Sequence, residues 1–160
     1  MDIRLATSRD ADEIWATLQP VFAAGETYAI DPAIGRADAL KYWMDQPTAC
    51  YVAIVDEKVV GTYYIRPNQS GGGAHVCNCG YVVAASAQGQ GVAAQMCIQS
   101  QTDAAALGFR GMQFNLVLDS NAGAVRLWHR LGFVTIGMIP KAFLHPALGF
   151  VDAHVMYKAL

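Results

Sequence analysis

The sequence predicts an α/β (α+β) fold: a mixed central sheet of about seven strands with helices on both faces, as one domain over residues 1–160. Three observations predict it. Strand-like and helix-like runs alternate in the order β-α-α-β-β-β-α-β-α-β-β. A chain of 160 residues fits one domain and is long enough to bury its own core. Hydrophobic residues make up 54% and charged residues only 15%, the reverse of a disordered chain.

The elements follow in order. Residues 3–6 read as a short strand, after which Thr7 or Ser8 can cap a helix with Asp10, Asp12 and Glu13 near its positive end. Ile14, Leu18 and Phe22 form the apolar stripe, and Pro20 predicts a kink or an early end. A loop at Gly25-Glu26-Thr27-Tyr28 precedes a second helix over 37–44. Residues 51–55 and 59–65 are β-rich and joined by the polar turn Asp56-Glu57-Lys58, which predicts a hairpin. A glycine-ended loop over 67–73 leads to a strand over 75–83. A helix over 92–107 stops at Gly108, a strand covers 112–118, and a helix over 121–131 stops at Gly132. Strands over 134–139 and 151–157 complete the sheet.

Composition excludes several classes of partner. A net charge of −2 gives no basic excess for nucleic acid. Met1-Asp2-Ile3-Arg4 is charged and opens no long apolar run, so no secretory signal is expected. No run is long enough to span a membrane, and the chain is expected in the cytoplasm. Cys50, Cys77, Cys79 and Cys97 match no zinc spacing and read as buried free thiols; no metal is expected. The apolar composition leaves room for a homodimer.

Chemistry concentrates after the strand over 75–83. Tyr81-Val82-Val83 runs into Ala84-Ala85-Ser86-Ala87, then Gln88-Gly89-Gln90-Gly91-Val92-Ala93, then a helix. Glycines let a ligand approach the backbone, and free amides at a helix start attract phosphate. A Walker loop needs Gly-Lys-Ser/Thr, which is missing. Gly89-Gln90-Gly91-Val92-Ala93-Ala94 formally matches a dinucleotide fingerprint. Its acidic partner position is Phe109, and Asp119 comes late. A glycine turn with no ligand also fits this motif taken alone.

Gln88, Gly91 and Ala93 fit a third pattern, Gln/Arg-x-x-Gly-x-Gly/Ala, the pyrophosphate loop of the GNAT (GCN5-related) N-acetyltransferases. A second block, Asn121-x-x-Ala124-x-x-Leu127-Trp128-x-x-Leu131-Gly132-Phe133, resembles another motif of that family and follows at the family's separation. On these two ordered motifs the chain is identified as resembling a GNAT enzyme. His75-Val76-Cys77-Asn78, Phe114-Asn115-Leu116-Val117, Ile136-Gly137-Met138-Ile139-Pro140 and Gly149-Phe150-Val151-Asp152 further resemble the fungal N-acetyltransferases that act on proline analogues such as azetidine-2-carboxylate.

The resemblance implies a GNAT fold, its sheet splayed between the strands over 75–83 and 112–118. It implies acetyl-CoA as co-substrate, held by Val83, Gln88, Gly89, Gln90, Gly91, Val92, Ala93, Ala94, Asn121, Ala124 and Trp128. It places Asn78 and Asn115 at the acceptor and in catalysis, with Glu26 and Tyr28 lining the acceptor pocket. Two glutamines stand in the loop where many relatives carry Arg or Lys, leaving Arg126 or Arg130 to assist. Trp128 replaces the family's tyrosine acid, and indole is a donor only; Tyr63, Tyr64 or Tyr81 could substitute. His75 is a candidate base, a water relay the alternative. The expected reaction is direct acetyl transfer to the amine of a small molecule such as an amino or imino acid. The alternatives are a peptide or protein amine, a polyamine, or a CoA-binding regulatory protein with degraded catalysis.

Overall fold

A computed structural model describes all residues, 1–160. The seven strands are β1 (Asp2–Leu5), β2 (Ala49–Val55), β3 (Lys58–Pro67), β4 (Val76–Val83), β5 (Gly111–Leu118), β6 (Val134–His145) and β7 (Gly149–Ala159). They form one sheet in the order β1-β2-β3-β4-β5-β7-β6. Every pairing is antiparallel except β4–β5. The helices are α1 (Ala11–Ala24), α2 (Arg36–Leu40), α3 (Val92–Ala106) and α4 (Ala122–Arg130).

Strand alternation sorts the core into two layers. On one face Ile14, Leu18 and Phe22 of α1 pack with Trp43, Val52, Tyr64 and Val82. On the other, Met96 and Cys97 of α3 and Trp128 of α4 pack with Tyr63, Ile65, Cys77, Met112 and Phe114. Neighbours Tyr63 and Tyr64 therefore face opposite layers. Cys77 and Cys79 share a face, and all four cysteines are buried free thiols. No helix is long and apolar enough to cross a membrane.

The structure corrects three boundaries. Helix α1 runs through Pro20 to Ala24 and ends at Gly25, whose φ is 63°. Pro20 is exposed, so the carbonyl it leaves without a partner can meet water, while Leu18 and Phe22 stay buried on the opposite face. The second helix is a short α2 continued by a π turn over Lys41–Asp45, where the Gln46 amide donates to the Lys41 carbonyl. That wider turn buries Trp43 in the α1 layer. Strand β6 continues past Ile139 to His145 because Phe143, Leu144 and His145 still pair with β7 beyond a register shift. Val134, Ile136, Met138, Leu144 and Phe150 of this hairpin are exposed.

The chain enters α1 through a buried carboxylate. Asp10 accepts from Arg4 at 2.7 and 2.9 Å and from the Thr7 amide at 2.7 Å. The Arg4 guanidinium, helped by these Thr7 bonds, holds the Asp10 carboxyl well below its ordinary value despite its burial. Asp10→Asn is expected to destabilise the fold by about 1–3 kcal/mol at neutral pH. A depressed carboxyl stabilises the fold above its unfolded value and ceases to as pH falls. The melting-temperature gap between wild type and variant should therefore close below the ordinary value of 3.8. A gap of constant size down to strong acid would remove Asp10 from this role.

Candidate active site

The glycine turn builds one side of the site. Gly89 (φ 74°) and Gly91 (φ 80°) sit in the left-handed region that side chains resist. The amides of Gly89, Gln90, Gly91, Val92, Ala93 and Ala94 have no main-chain acceptor; the next donor, Gln95, bonds the Gly91 carbonyl at 3.1 Å. A run of free donors at the positive end of α3 suits a diphosphate.

A cavity of about 670 Å³ joins this turn to the middle of the sheet. It exists because β4 and β5 pair only at Val76–Gly111 and Cys77–Met112 and then part. Side chains take up main-chain groups that the parting leaves unpaired. The Tyr28 hydroxyl donates to the Tyr81 carbonyl at 2.8 Å and accepts from the Tyr81 amide at 2.9 Å. Asn78 Nδ2 donates to the Gln113 carbonyl at 3.0 Å.

Val83, Gln88, Gly89, Ala93, Asn121, Ala124 and Trp128 line the cavity. Gln90, Gly91, Val92 and Ala94 do not line it; Val92 packs in the core, and all four supply main-chain amides to the turn. Asn121 Oδ1 caps α4, accepting from the Ala124 amide at 3.1 Å. Arg126 and Arg130 are exposed and lie off the cavity wall.

At the far end the wall holds Asn78, Asn115 and Tyr28. Asn78 Oδ1 accepts from the Tyr64 hydroxyl at 3.1 Å. With Nδ2 on Gln113 the amide is oriented and keeps a free lone pair and a free N–H. Asn115 donates to Asn68 Oδ1 at 2.6 Å and accepts from Gln113 Nε2 at 3.0 Å. Glu26 is exposed and off the wall; the loop reaches the cavity through Thr27, Tyr28, Ala29 and Ile30 instead. A helix-ending glycine turns the chain just before Glu26, and the side chain that packs inward after it is the half-buried Tyr28, edge-on against Phe22 and Trp43.

No candidate acid or base from the sequence stands free at the cavity. His75 is exposed, 3.1 Å from the Gly72 carbonyl, and off the wall. The Tyr63 hydroxyl donates to Asp103 at 2.6 Å on the α3 side. Burial holds Tyr63, Tyr64, Tyr81 and Tyr28 well above the ordinary phenol value. The thiol of Cys79, on the wall, is likewise pushed up by burial, so it is no nucleophile near neutral pH. Trp128 fills the core against Phe114 and Tyr81, with ring centroids 5.2 and 5.3 Å away.

This geometry agrees with relatives of known class. The profile of the Acetyltransferase (GNAT) family matches residues 12–133. The chain belongs to the GNAT family. It is 30% identical over 148 residues to the N-acetyltransferase aca1 of Schizosaccharomyces pombe, covering 82% of this chain and 71% of that one. A GCN5-related N-acetyltransferase from Kribbella flavida superposes with a TM-score of 0.94 at 40% identity, covering 99% of this chain and 97% of that one. A phosphinothricin acetyltransferase from Sinorhizobium meliloti, solved with acetyl-CoA, shares the fold at 19% identity and a TM-score of 0.88, covering 99% and 88%. This GNAT protein is thus an acetyl-CoA-dependent N-acetyltransferase, and its turn of free amides fits the diphosphate of that co-substrate.

Sequence reasoning missed Arg66, Tyr42 and Thr27, which also line the cavity. One signal pointed to Arg66. It lies two residues beyond Tyr64 at the end of a largely apolar strand, and it is the last charge before Asp103.

Gly91→Val should be strained by more than about 1 kcal/mol at φ 80°, since β-branched residues avoid that region. The expected outcome is a KM for acetyl-CoA raised about tenfold or more with the acceptor KM unchanged. Unaltered binding of CoA by calorimetry in this variant would exclude the turn as the diphosphate site.

Proposed function

We propose that the enzyme transfers acetyl from acetyl-CoA directly to the amine of a small molecule, an amino acid, imino acid or proline analogue. The observation that carries this reading is the single cavity joining the amide turn to Asn78 and Asn115 where β4 and β5 part. A thioester reaching from the turn toward the sheet would meet an amine there with no intervening protein nucleophile. The elevated Cys79 thiol supports direct transfer over an acetyl-enzyme.

Each residue then has a task. Residues 89–94 hold the diphosphate through main-chain amides, with no side-chain cation on the wall beside them. Asn78 and Asn115 orient the acceptor nitrogen and can donate N–H to the carbonyl oxygen as negative charge develops on it. Tyr28 shapes the pocket and keeps the Tyr81 main chain paired. The thiolate can leave unprotonated, because a thiol pKa of ~8.5 makes it a fair leaving group. The wall carries no carboxylate and no imidazole, so the ammonium proton passes to water. A homodimer and a cytoplasmic setting belong to the same proposal; the exposed apolar side chains of the β6–β7 hairpin support the first.

Two measurements test this. Asn115→Ala should lower kcat by roughly 10²–10³ with little change in CoA affinity, the range for losing one oriented donor. Wild-type turnover in that variant would remove Asn115 from the mechanism. In a pH profile, log kcat/KM should rise with unit slope to the acceptor amine's own pKa and shift when a less basic amine is used. A break fixed near ~6.5 for every acceptor would instead reveal an enzyme imidazole.

A further inference from the structure

We propose that Arg66 anchors a carboxylate on the acceptor, so that this site selects zwitterionic amino or imino acids and rejects polyamines and lysine side chains. The inference rests on the acetyl-transfer reading above and adds the group that reads the acceptor.

Arg66 lies half-buried in the cavity wall with no carboxylate partner. The ion pairs of the chain are Arg4–Asp10, Arg36–Asp12 and His154–Asp119, all elsewhere. No acidic residue lines the cavity, and burial keeps the neighbouring Tyr64 hydroxyl protonated. A partly desolvated cation without a counter-charge favours an anionic ligand and repels a second cation.

The guanidinium is also pre-aimed. Its Nη2 donates to the Tyr42 hydroxyl at 2.6 Å and the Tyr64 hydroxyl at 2.9 Å. Its central carbon sits 4.7 and 4.5 Å from the two ring centroids. Nε and Nη1 have no protein acceptor, leaving part of the fork free for a carboxylate.

Arg66 is the register partner of Asn78 across β3 and β4, so both residues share one face of the sheet. A molecule whose nitrogen and carboxylate are one carbon apart can meet Asn78 with the first and Arg66 with the second. Tyr64 ties the pair together, bonding Arg66 and Asn78 through one hydroxyl.

The test compares L-proline with L-prolinamide and L-alanine with L-alaninamide, with rates expressed per free amine. The wild type should favour each acid over its amide by about 10- to 100-fold in kcat/KM, the range of a charge-assisted hydrogen bond. Arg66→Met should bring that ratio close to one by raising the KM for the acids far more than that for the amides, with the acetyl-CoA KM unmoved. Arg66→Gln, shorter and uncharged but still a hydrogen-bond donor, should do the same and serves if the methionine variant does not fold. A purely structural Arg66, stacked on its two tyrosines, predicts equal losses for acid and amide, and that result overturns the anchor. A wild type that acetylates amines without preferring the acids also overturns it and leaves the transferase reading standing. A wild type that acetylates none of a wider panel of small amines overturns that reading and the anchor with it.

Discussion

The rest of the structure depends on the parting of two parallel strands. Main-chain N–H and C=O groups left inside a protein must find partners. Past Cys77 and Met112, β4 and β5 no longer supply them to each other. The chain answers with side chains, Tyr28 on Tyr81 and Asn78 on Gln113. Asn78 reaches across the gap from β4 to β5, while Tyr28 caps the β4 edge and leaves the gap open. The cavity follows from this, as does the convergence of a helix start, a helix cap and two asparagines on one space.

The electrostatics of that space are sparse. Aromatic rings and amides form most of the far wall, and Arg66 is its only permanent charge. The Tyr28 and Tyr64 hydroxyls and the Cys79 thiol there are desolvated and therefore held neutral. Such a site cannot accelerate proton removal with a tuned base. It can orient a nucleophile and stabilise charge as it forms, which preorganised dipoles do without rearrangement.

What the sequence disclosed was local. Gly91, Gly108 and Gly132 mark positive φ at element ends, and Asn121 marks a helix cap; each is a property of a few adjacent residues. The glycine turn and the capped helix beside it, within residues 83–128, were legible for that reason. The acceptor half is not contiguous. Tyr28, Tyr42, Arg66 and Asn78 meet only because the α1–α2 connection folds over β3 and β4, and no spacing rule encodes that. Glu26 illustrates the limit: of the two loop residues expected at the pocket, Tyr28 lines it and Glu26 stays in solvent. Pro20 and the π turn misled for a related reason, since burial of Phe22 and Trp43 outweighed a local backbone preference.

The π turn at Lys41–Asp45 has one more consequence. By widening a single coil it seats Trp43 in the α1 layer while the adjacent Tyr42 lines the cavity and meets Arg66. One backbone irregularity thus couples the packing of that layer to the shape of the cavity wall. Drift in this segment can reshape that end of the cavity only within limits set by keeping the indole seated, whereas the wall beside the glycine turn is free of that compromise.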